Sequence, residues 1–284
     1  MKEPQIIQGI KCYAPELAHS SEDYPAGHAE KLYKIEAEHF WFRSRNRVLQ
    51  YLFGKYLGRH EPRKILEVGC GTGFVLHGLA RFSNFKLSGA ELFIEGLEFA
   101  QTRLPNVDFV QLDFRDTPFA AEFDAVGAFD VLEHVEEDEQ MIASAYTTLK
   151  PGGYFFISVP QHMWLWSTQD DTAFHKRRYS RREMKKKLQA AGFKIRFVSS
   201  FVFTLLPAML LSRLRRKKSR NTKLSPGAEY SYDELQLPWA LNALLNLIMH
   251  MDEFLIRLGV SLPAGGSLIV VAQKPQVAAL DKKG

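Results

Sequence analysis

Cysteine is nearly absent. Cys12 and Cys70 are the only two in 284 residues, too few and too oddly placed for a disulfide framework, and so the expected compartment is a reducing one. Long apolar runs are missing too. No stretch approaches the ~20 uninterrupted apolar residues of a membrane-spanning helix, and Met1-Lys-Glu-Pro-Gln5 leads into no apolar core of a signal peptide. The expected location is the cytoplasm. Acids are scarce in one place only. Between His175 and Lys223 stand 17 Lys and Arg against the single acid Glu183, so this stretch carries +16 while the rest of the chain carries −11. Such a local field suits nucleic acid, an anionic lipid surface or an acidic small substrate, and equally a plain solvated helix face. Apolar residues, at 46%, are ample for a real core, which excludes disorder as the default.

The most informative stretch is Lys64-Ile-Leu-Glu-Val-Gly-Cys-Gly-Thr-Gly73, an apolar run that reaches an acid and breaks into three glycines at alternate positions. It reads as a buried strand turning into a helix near Phe74, with glycines that allow φ > 0 and close approach of a ligand. Glycine clusters more often just make turns. Here, however, two further strand-like runs end in carboxylates at the spacing of successive βα units: Phe85-Lys-Leu-Ser-Gly-Ala-Glu91 and Val107-Asp-Phe-Val-Gln-Leu-Asp113.

These residues resemble the class I S-adenosylmethionine (SAM)-dependent methyltransferases, whose first motif matches Glu67-Val-Gly-Cys-Gly-Thr-Gly73 at every position. The resemblance continues through Phe123-Asp-Ala-Val-Gly-Ala-Phe-Asp-Val-Leu-Glu-His-Val135 and Leu149-Lys-Pro-Gly-Gly-Tyr-Phe-Phe-Ile-Ser-Val-Pro160, similar to the family's fourth strand and its helix-turn-fifth strand. The Leu-Glu-His-Val run is most like the small-molecule branch that includes the ubiquinone-biosynthesis O-methyltransferases. The resemblance implies a Rossmann-like, doubly wound α/β sheet of seven strands, mostly parallel with an antiparallel last strand. A NAD-dependent dehydrogenase is disfavoured, because its glycines are spaced Gly-x-Gly-x-x-Gly rather than Gly-x-Gly-x-Gly.

Along the chain, residues 1–62 read as an irregular arm followed by a cap helix over 29–57, which carries an aromatic knot at His39-Phe-Trp-Phe42 and Arg43, Arg45 and Arg47 on its far side. Residues 63–201 alternate strands (64–68, 85–91, 107–111, 123–129, 153–159 and 193–201) with helices, the mark of a parallel sheet covered on both faces. Ser180-Arg-Arg-Glu183 is a capping box for the helix ending at Gly192. Residues 202–266 form a helical insertion, and 267–284 the last strand and a tail. The insertion joins the apolar run Phe201–Leu211 to the basic cluster Arg213–Arg220 and a helical segment, Trp239–Leu258, whose apolar spacing is interrupted by His250, Asp252 and Glu253. It reads equally as a peripheral contact with an anionic membrane and as a lid over the substrate.

By resemblance, Glu67 holds the methionyl amino group of SAM above Gly69, Gly71 and Gly73, while Asp113 and Phe114 take the adenine. Glu91, 18 residues after Gly73, can accept both ribose hydroxyls and would repel a 2′-phosphate. Arg43, Cys70, Leu92 and Phe129 complete the expected cofactor surroundings. His134 and His162 follow the fourth and fifth strands, on the sheet edge where α/β ligands bind, and a histidine suits removal of a hydroxyl proton near neutral pH. They and Asp130 are the expected catalytic residues, although each histidine alone reads more readily as structural than as catalytic. By the same resemblance Glu133 with His134 could ligate a divalent cation, as in some related O-methyltransferases, but a single adjacent pair is thin support and no metal site is expected.

No Asn-Pro-Pro-Tyr-like tetrapeptide follows the fourth strand, where Phe129-Asp130-Val-Leu stands instead, and no Pro-Cys supplies the nucleophile of cytosine-C5 methylation. The expected acceptor is therefore an oxygen, or less readily a nitrogen or carbon, of a small or lipid-linked molecule. An RNA or other nucleic-acid methyltransferase using the 175–223 patch and a non-catalytic SAM-binding protein are the alternatives.

Overall fold

The computed structural model describes residues 3–19, 27–218 and 237–276, the side chains of 213–218 excepted. It opens on a hairpin, β1 (Gln5–Ile7) and β2 (Ile10–Cys12), where the sequence predicted an irregular arm. Gln8 (φ 51°) and Gly9 (φ 79°) make the two-residue turn, the geometry whose twist matches paired strands. Three-residue strands are too short to show a period.

The predicted cap helix is two helices, α1 (His28–Ile35) and α2 (Phe40–Leu57). His39 is extended (φ −67°, ψ 131°), and its Nδ1 accepts the Trp41 N–H at 3.3 Å, which caps α2. There follow β3 (Arg63–Val68), α3 (Phe74–Leu79), β4 (Phe85–Glu91), α4 (Ile94–Arg103), β5 (Asp108–Gln111), β6 (Phe123–Phe129), α5 (Asp138–Thr148), β7 (Leu149–Pro160), α6 (Thr168–Thr172), α7 (Arg181–Ala190), β8 (Lys194–Phe201), α8 (Leu206–Lys218), α9 (Trp239–Arg257) and β9 (Ser267–Gln273). The Ser180–Glu183 capping box opens α7 as its spacing predicted.

Among the described residues the sheet has nine strands rather than seven, in the order β1-β2-β5-β4-β3-β6-β7-β9-β8. β9 runs antiparallel between β7 and β8, and the hairpin adds two strands beside β5, only β2 being parallel to it. Alternation along each strand feeds two cores. Ile65, Ala125, Phe156 and Ile269 face α2, α3, α4 and α9; Leu66, Val126, Phe155 and Val270 face α5 and α7. Phe53 of α2 stacks on Phe156 with centroids 3.9 Å apart. Strand order reverses between β3 and β6, so the crevice at their carboxyl ends lies at a topological switch point.

α9 packs on α2 with its acids inward. The Glu253 carboxylate, 2% exposed, accepts bonds from Ser44 Oγ (2.6 Å) and Arg47 (2.5–3.0 Å), while Asp252 accepts the Phe203 and Thr204 N–H groups. Of the polar interruptions noticed in the sequence, Asp252 and Glu253 thus lie on the buried face, while His250 is exposed. Trp239, Leu244, Leu247, Met251 and Phe254 are exposed on α9. Phe201, Val202 and Leu205, at the start of the apolar run that the sequence offered to a membrane, are instead buried; Leu210 and Leu211 are exposed. The side chains of Arg213–Lys218, and Arg220 altogether, lie outside the described residues. Among the described residues no helix is long and apolar enough to cross a membrane.

Candidate active site

The turn after β3 uses left-handed backbone at all three glycines: Gly69 (φ 64°), Gly71 (φ 49°) and Gly73 (φ 75°). A Cβ on Gly69 would lie 2.4 Å from Val131, whereas one on Gly71 would meet nothing within 4 Å and would project into open space. Glu91, half-buried at the end of β4, braces this turn: one carboxylate oxygen accepts the Gly71 N–H at 2.9 Å and the other the Leu92 N–H at 2.7 Å. From the other side Glu36, next to α1, accepts bonds from Thr72 Oγ1 and from Arg103 at 2.6 Å. Cys70 is buried, which pushes its thiol well above the ordinary range and makes it inert.

Glu67 lies under the turn, 3% exposed, and its Oε2 has no hydrogen-bond partner. Burial pushes its pKa up to about 8, against the pull of Arg45. Asp113 and Phe114 follow β5. Phe114 is buried, and Asp113 forms an ion pair with Arg115 at 2.6 Å; burial acts against ionisation, but the Arg115 guanidinium and backbone N–H hold the Asp113 pKa below its ordinary value.

Asp130, just beyond β6, has φ 56°, a conformation that costs energy in a non-glycine residue and often marks a working site. Its Oδ2 accepts bonds from Ser158 Oγ (3.1 Å) and from Arg45 Nη1. The Arg45 guanidinium lies 4.6 Å from the Trp41 ring centroid, so the aromatic knot positions this arginine rather than facing away from it. Arg43, the arginine expected near the cofactor, is exposed. Two helical positions rotate a side chain by about 200°, which places 43 and 45 on opposite faces. Arg45 shares its face with Leu49, Leu52 and Phe53, a spacing by which the sequence could have identified it. Phe129, also expected at the cofactor, is a buried core residue whose ring meets Phe53 at 6.3 Å.

Beyond β6 and β7 a second group gathers. Glu133 is fully buried with neither oxygen bonded, and burial, then the nearby Asp130, push its pKa well up. His134 is exposed and lies edge-on to His175, with centroids 4.9 Å apart. His175 Nδ1 is 2.9 Å from Asp170, which is also bonded by Arg178 at 2.6 Å. Burial opposes ionisation of Asp170, yet the bonds from His175 and Arg178 hold its pKa down to about 2. His162 (φ 65°) follows β7 and stacks on Trp164 with centroids 4.9 Å apart; its Nε2 is buried without a partner, as are both polar atoms of the adjacent Gln161 amide. Burial, then Arg178 and Arg181, lower the His162 pKa and favour its neutral form.

Among the described residues, the buried polar atoms lacking a partner belong to Arg45, Glu67, Glu133, Gln161, His162 and Thr204. All but Thr204 lie at the carboxyl ends of β3, β6 and β7 or, for Arg45, pair with Asp130 there. Folded proteins leave few such atoms, and a gathering of them at one sheet edge marks a ligand site. Sequence reading missed Arg45, Gln161, Asp170 and His175 as members of this edge. A groove lined by Tyr56, Arg63, Lys150 and Gly152 lies at the opposite, amino edge of the sheet, where Asp124 pairs with Lys150 at 2.8 Å.

The profile of the methyltransferase domain family matches residues 33–197. A Mycolicibacterium smegmatis protein described as a probable SAM-dependent methyltransferase is 29% identical over 165 residues, covering 57% of this chain and 62% of that protein. A ubiquinone biosynthesis O-methyltransferase from Chromobacterium violaceum is 33% identical over 113 residues, 36% of this chain and 48% of that enzyme. These matches span less than two thirds of either relative. The solved structure of Haemonchus contortus phosphoethanolamine N-methyltransferase 2 with SAM shares the fold, with a TM-score of 0.55 at 19% identity, over 81% of this chain and 53% of that one.

Proposed function

The chain belongs to the methyltransferase domain family, and from that premise we propose that it moves a methyl group from SAM to an oxygen of a small or lipid-linked molecule, with His162 as the proton acceptor. The observation that carries this reading is the line of buried, unpartnered polar atoms beside an open glycine turn. The residues fit SAM: Gly71 leaves room for a ligand, Glu67 has an unbonded carboxylate oxygen that would meet the amino group, Glu91 would accept the ribose hydroxyls, and Asp113 and Phe114 would meet the adenine. When bound, SAM supplies an electrophilic methyl on a sulfonium. The protein's remaining tasks are alignment and removal of the acceptor's proton. His162 suits the second, since its neutral Nε2 has no competing donor. Arg45 and Ser158 hold Asp130 in place, which makes it a positioning residue.

Two observations favour an apolar acceptor. Met163 and Trp164 are exposed directly after His162, at 55% and 58%. The outward row of α9 provides a further apolar surface, suited to peripheral contact with a lipid layer. Four of the 17 bases of the 175–223 stretch are engaged internally by an acid or a backbone carbonyl and so do not serve the nucleic-acid alternative: Arg177 with Glu136, Arg178 with Asp170, Arg181 with the Leu262 carbonyl and Lys187 with Asp138.

Incubation with methyl-labelled SAM and a cell extract, then separated into RNA, protein, water-soluble and lipid fractions, tests the assignment. Label is expected in the small-molecule or lipid fraction as an oxygen-linked methyl. Label in RNA would overturn the acceptor class. SAM binding with no transfer to any fraction would favour a non-catalytic binding protein.

A further inference from the structure

We propose that Arg178 is the residue that positions His162: gripped by Asp170, its guanidinium fixes the bend of backbone on which the histidine stands. The inference rests on the reading of His162 as proton acceptor. Arg178 is 8% exposed, and Nε, Nη1 and Nη2 all donate. Nε and Nη2 meet the two carboxylate oxygens of Asp170 at 2.6 and 3.0 Å, while Nη1 donates to the Gln161 carbonyl at 3.1 Å and reaches the Gly266 carbonyl at 3.5 Å. A planar fork can join a carboxylate on one edge to backbone carbonyls on the other; the ammonium of a lysine cannot.

The carbonyls it holds define the bend. Gln161 N–H donates to the same Gly266 carbonyl at 2.9 Å, so the guanidinium and the backbone of Gln161 share one acceptor at the start of β9. The backbone of 178–179 grips the residues on either side: Tyr179 N–H donates to the Pro160 carbonyl, His162 N–H donates to the Tyr179 carbonyl, both at 2.9 Å, and Arg178 N–H donates to Met163 Sδ at 3.2 Å. His162 stands in the middle with φ 65°. A left-handed non-glycine residue persists only where its surroundings over-determine it, and here the Arg178–Tyr179 segment does so.

Asp170 anchors the far end of the fork. Its carboxylate accepts the Ser167 N–H at 2.8 Å and lies 2.9 Å from His175 Nδ1, so Arg178 is held by a group that is itself fixed. Stability alone does not account for the arrangement. A buried ion pair adds little over apolar residues of the same volume, whereas this one has the second edge of its fork committed to the backbone beside His162. Its charge acts on the ring as well: after burial, Arg178 and then Arg181 of α7 are the groups that favour neutral imidazole at His162.

The test is nuclear magnetic resonance of the histidine rings in the full chain, with the His162 signal identified by its loss in His162→Gln, alongside kcat and the SAM dissociation constant. In the wild type the His162 ring lies on Trp164, 4.9 Å between centroids at 27°, so its signal carries the ring-current shift of the indole. Arg178→Lys keeps the charge and loses the fork; Arg178→Gln loses both. In each the His162 signal is expected to move to the position of an unstacked ring, while the exposed His60 and His77 keep theirs, and kcat to fall roughly 10²-fold at unchanged SAM affinity. A residue that served the fold alone would lower thermal stability and leave both readings of the folded protein as they were. Circular dichroism checks folding, and Asp170→Asn, which keeps its shape and weakens the grip on the fork, carries the same expectation should neither Arg178 variant fold. An unmoved His162 signal in a folded variant overturns the proposal whatever the rate. A moved signal with unchanged kcat leaves Arg178 as the holder of the ring and overturns His162 as the proton acceptor instead.

Discussion

His162→Ala is expected to lower kcat by roughly 10²–10⁴-fold, the usual contribution of a positioned general base, while leaving the SAM dissociation constant unchanged. His162 leaves β7 with left-handed backbone, its ring is held flat against Trp164, and its Nε2 is buried with no bond to give up. Burial and the neighbouring Arg178 and Arg181 depress its pKa, so the neutral, proton-accepting form persists below the ordinary histidine range. The acid limb of the rate profile should accordingly lie below about pH 6.5, where an unperturbed histidine titrates. His162→Gln, which keeps bulk and hydrogen bonding but cannot take a proton at neutral pH, should be as slow as the alanine variant. Turnover equal to wild type in both would leave alignment alone as the mechanism.

Glu91→Ala is expected to weaken SAM binding by roughly 10²–10⁴-fold, because two hydrogen bonds to a charged acceptor, each worth about 1.5–3 kcal/mol, are lost. The free protein shows a second effect of the same residue. Glu91 bonds the N–H groups of Gly71 and Leu92, so its removal also loosens the turn on which the cofactor would rest. Glu91→Gln retains one acceptor oxygen and should fall between the two. Calorimetric titration reads all three proteins, and an unchanged dissociation constant in the alanine variant would remove Glu91 from the site.

The parts of this fold that local chemistry determines were legible in the sequence. Apolar runs ending in Glu67, Glu91 and Asp113 gave the first three strands of the core, the alternate glycines gave the turn, and Ser180 with Glu183 gave the start of α7. The β1–β2 hairpin escaped because three residues a strand leave no period, and Gly9 was its only sign. The helical segment that became α9 was legible, but the role of its acids was not, because Glu253 is satisfied by partners some 200 positions away, Ser44 and Arg47. The surroundings of Glu133 and His134 were not legible for the same reason: His175, Asp170 and Arg178 come from a loop that only the fold brings to the end of β6. Arg45 was within reach, since it keeps step with Leu49 and Phe53, whereas Arg43, two positions away, lies on the exposed face.

Glu67 links the cofactor to a proton. In the free protein burial raises its pKa to about 8, so near pH 7 it is mostly protonated. As a group whose folded pKa lies above its unfolded value, it contributes stability that is full at low pH and is lost as pH rises through about 8. An amino group placed against it favours the carboxylate, lowers that pKa and expels the proton, so SAM affinity should rise with pH up to the same point. The measurement that bears most directly on the site is therefore calorimetric titration of SAM at pH 7 in two buffers of different ionisation enthalpy, on the wild type and on Glu67→Gln. The account predicts one site and release of close to one proton per SAM, with the release abolished in Glu67→Gln. Absence of binding, or binding whose heat is the same in both buffers, would contradict it.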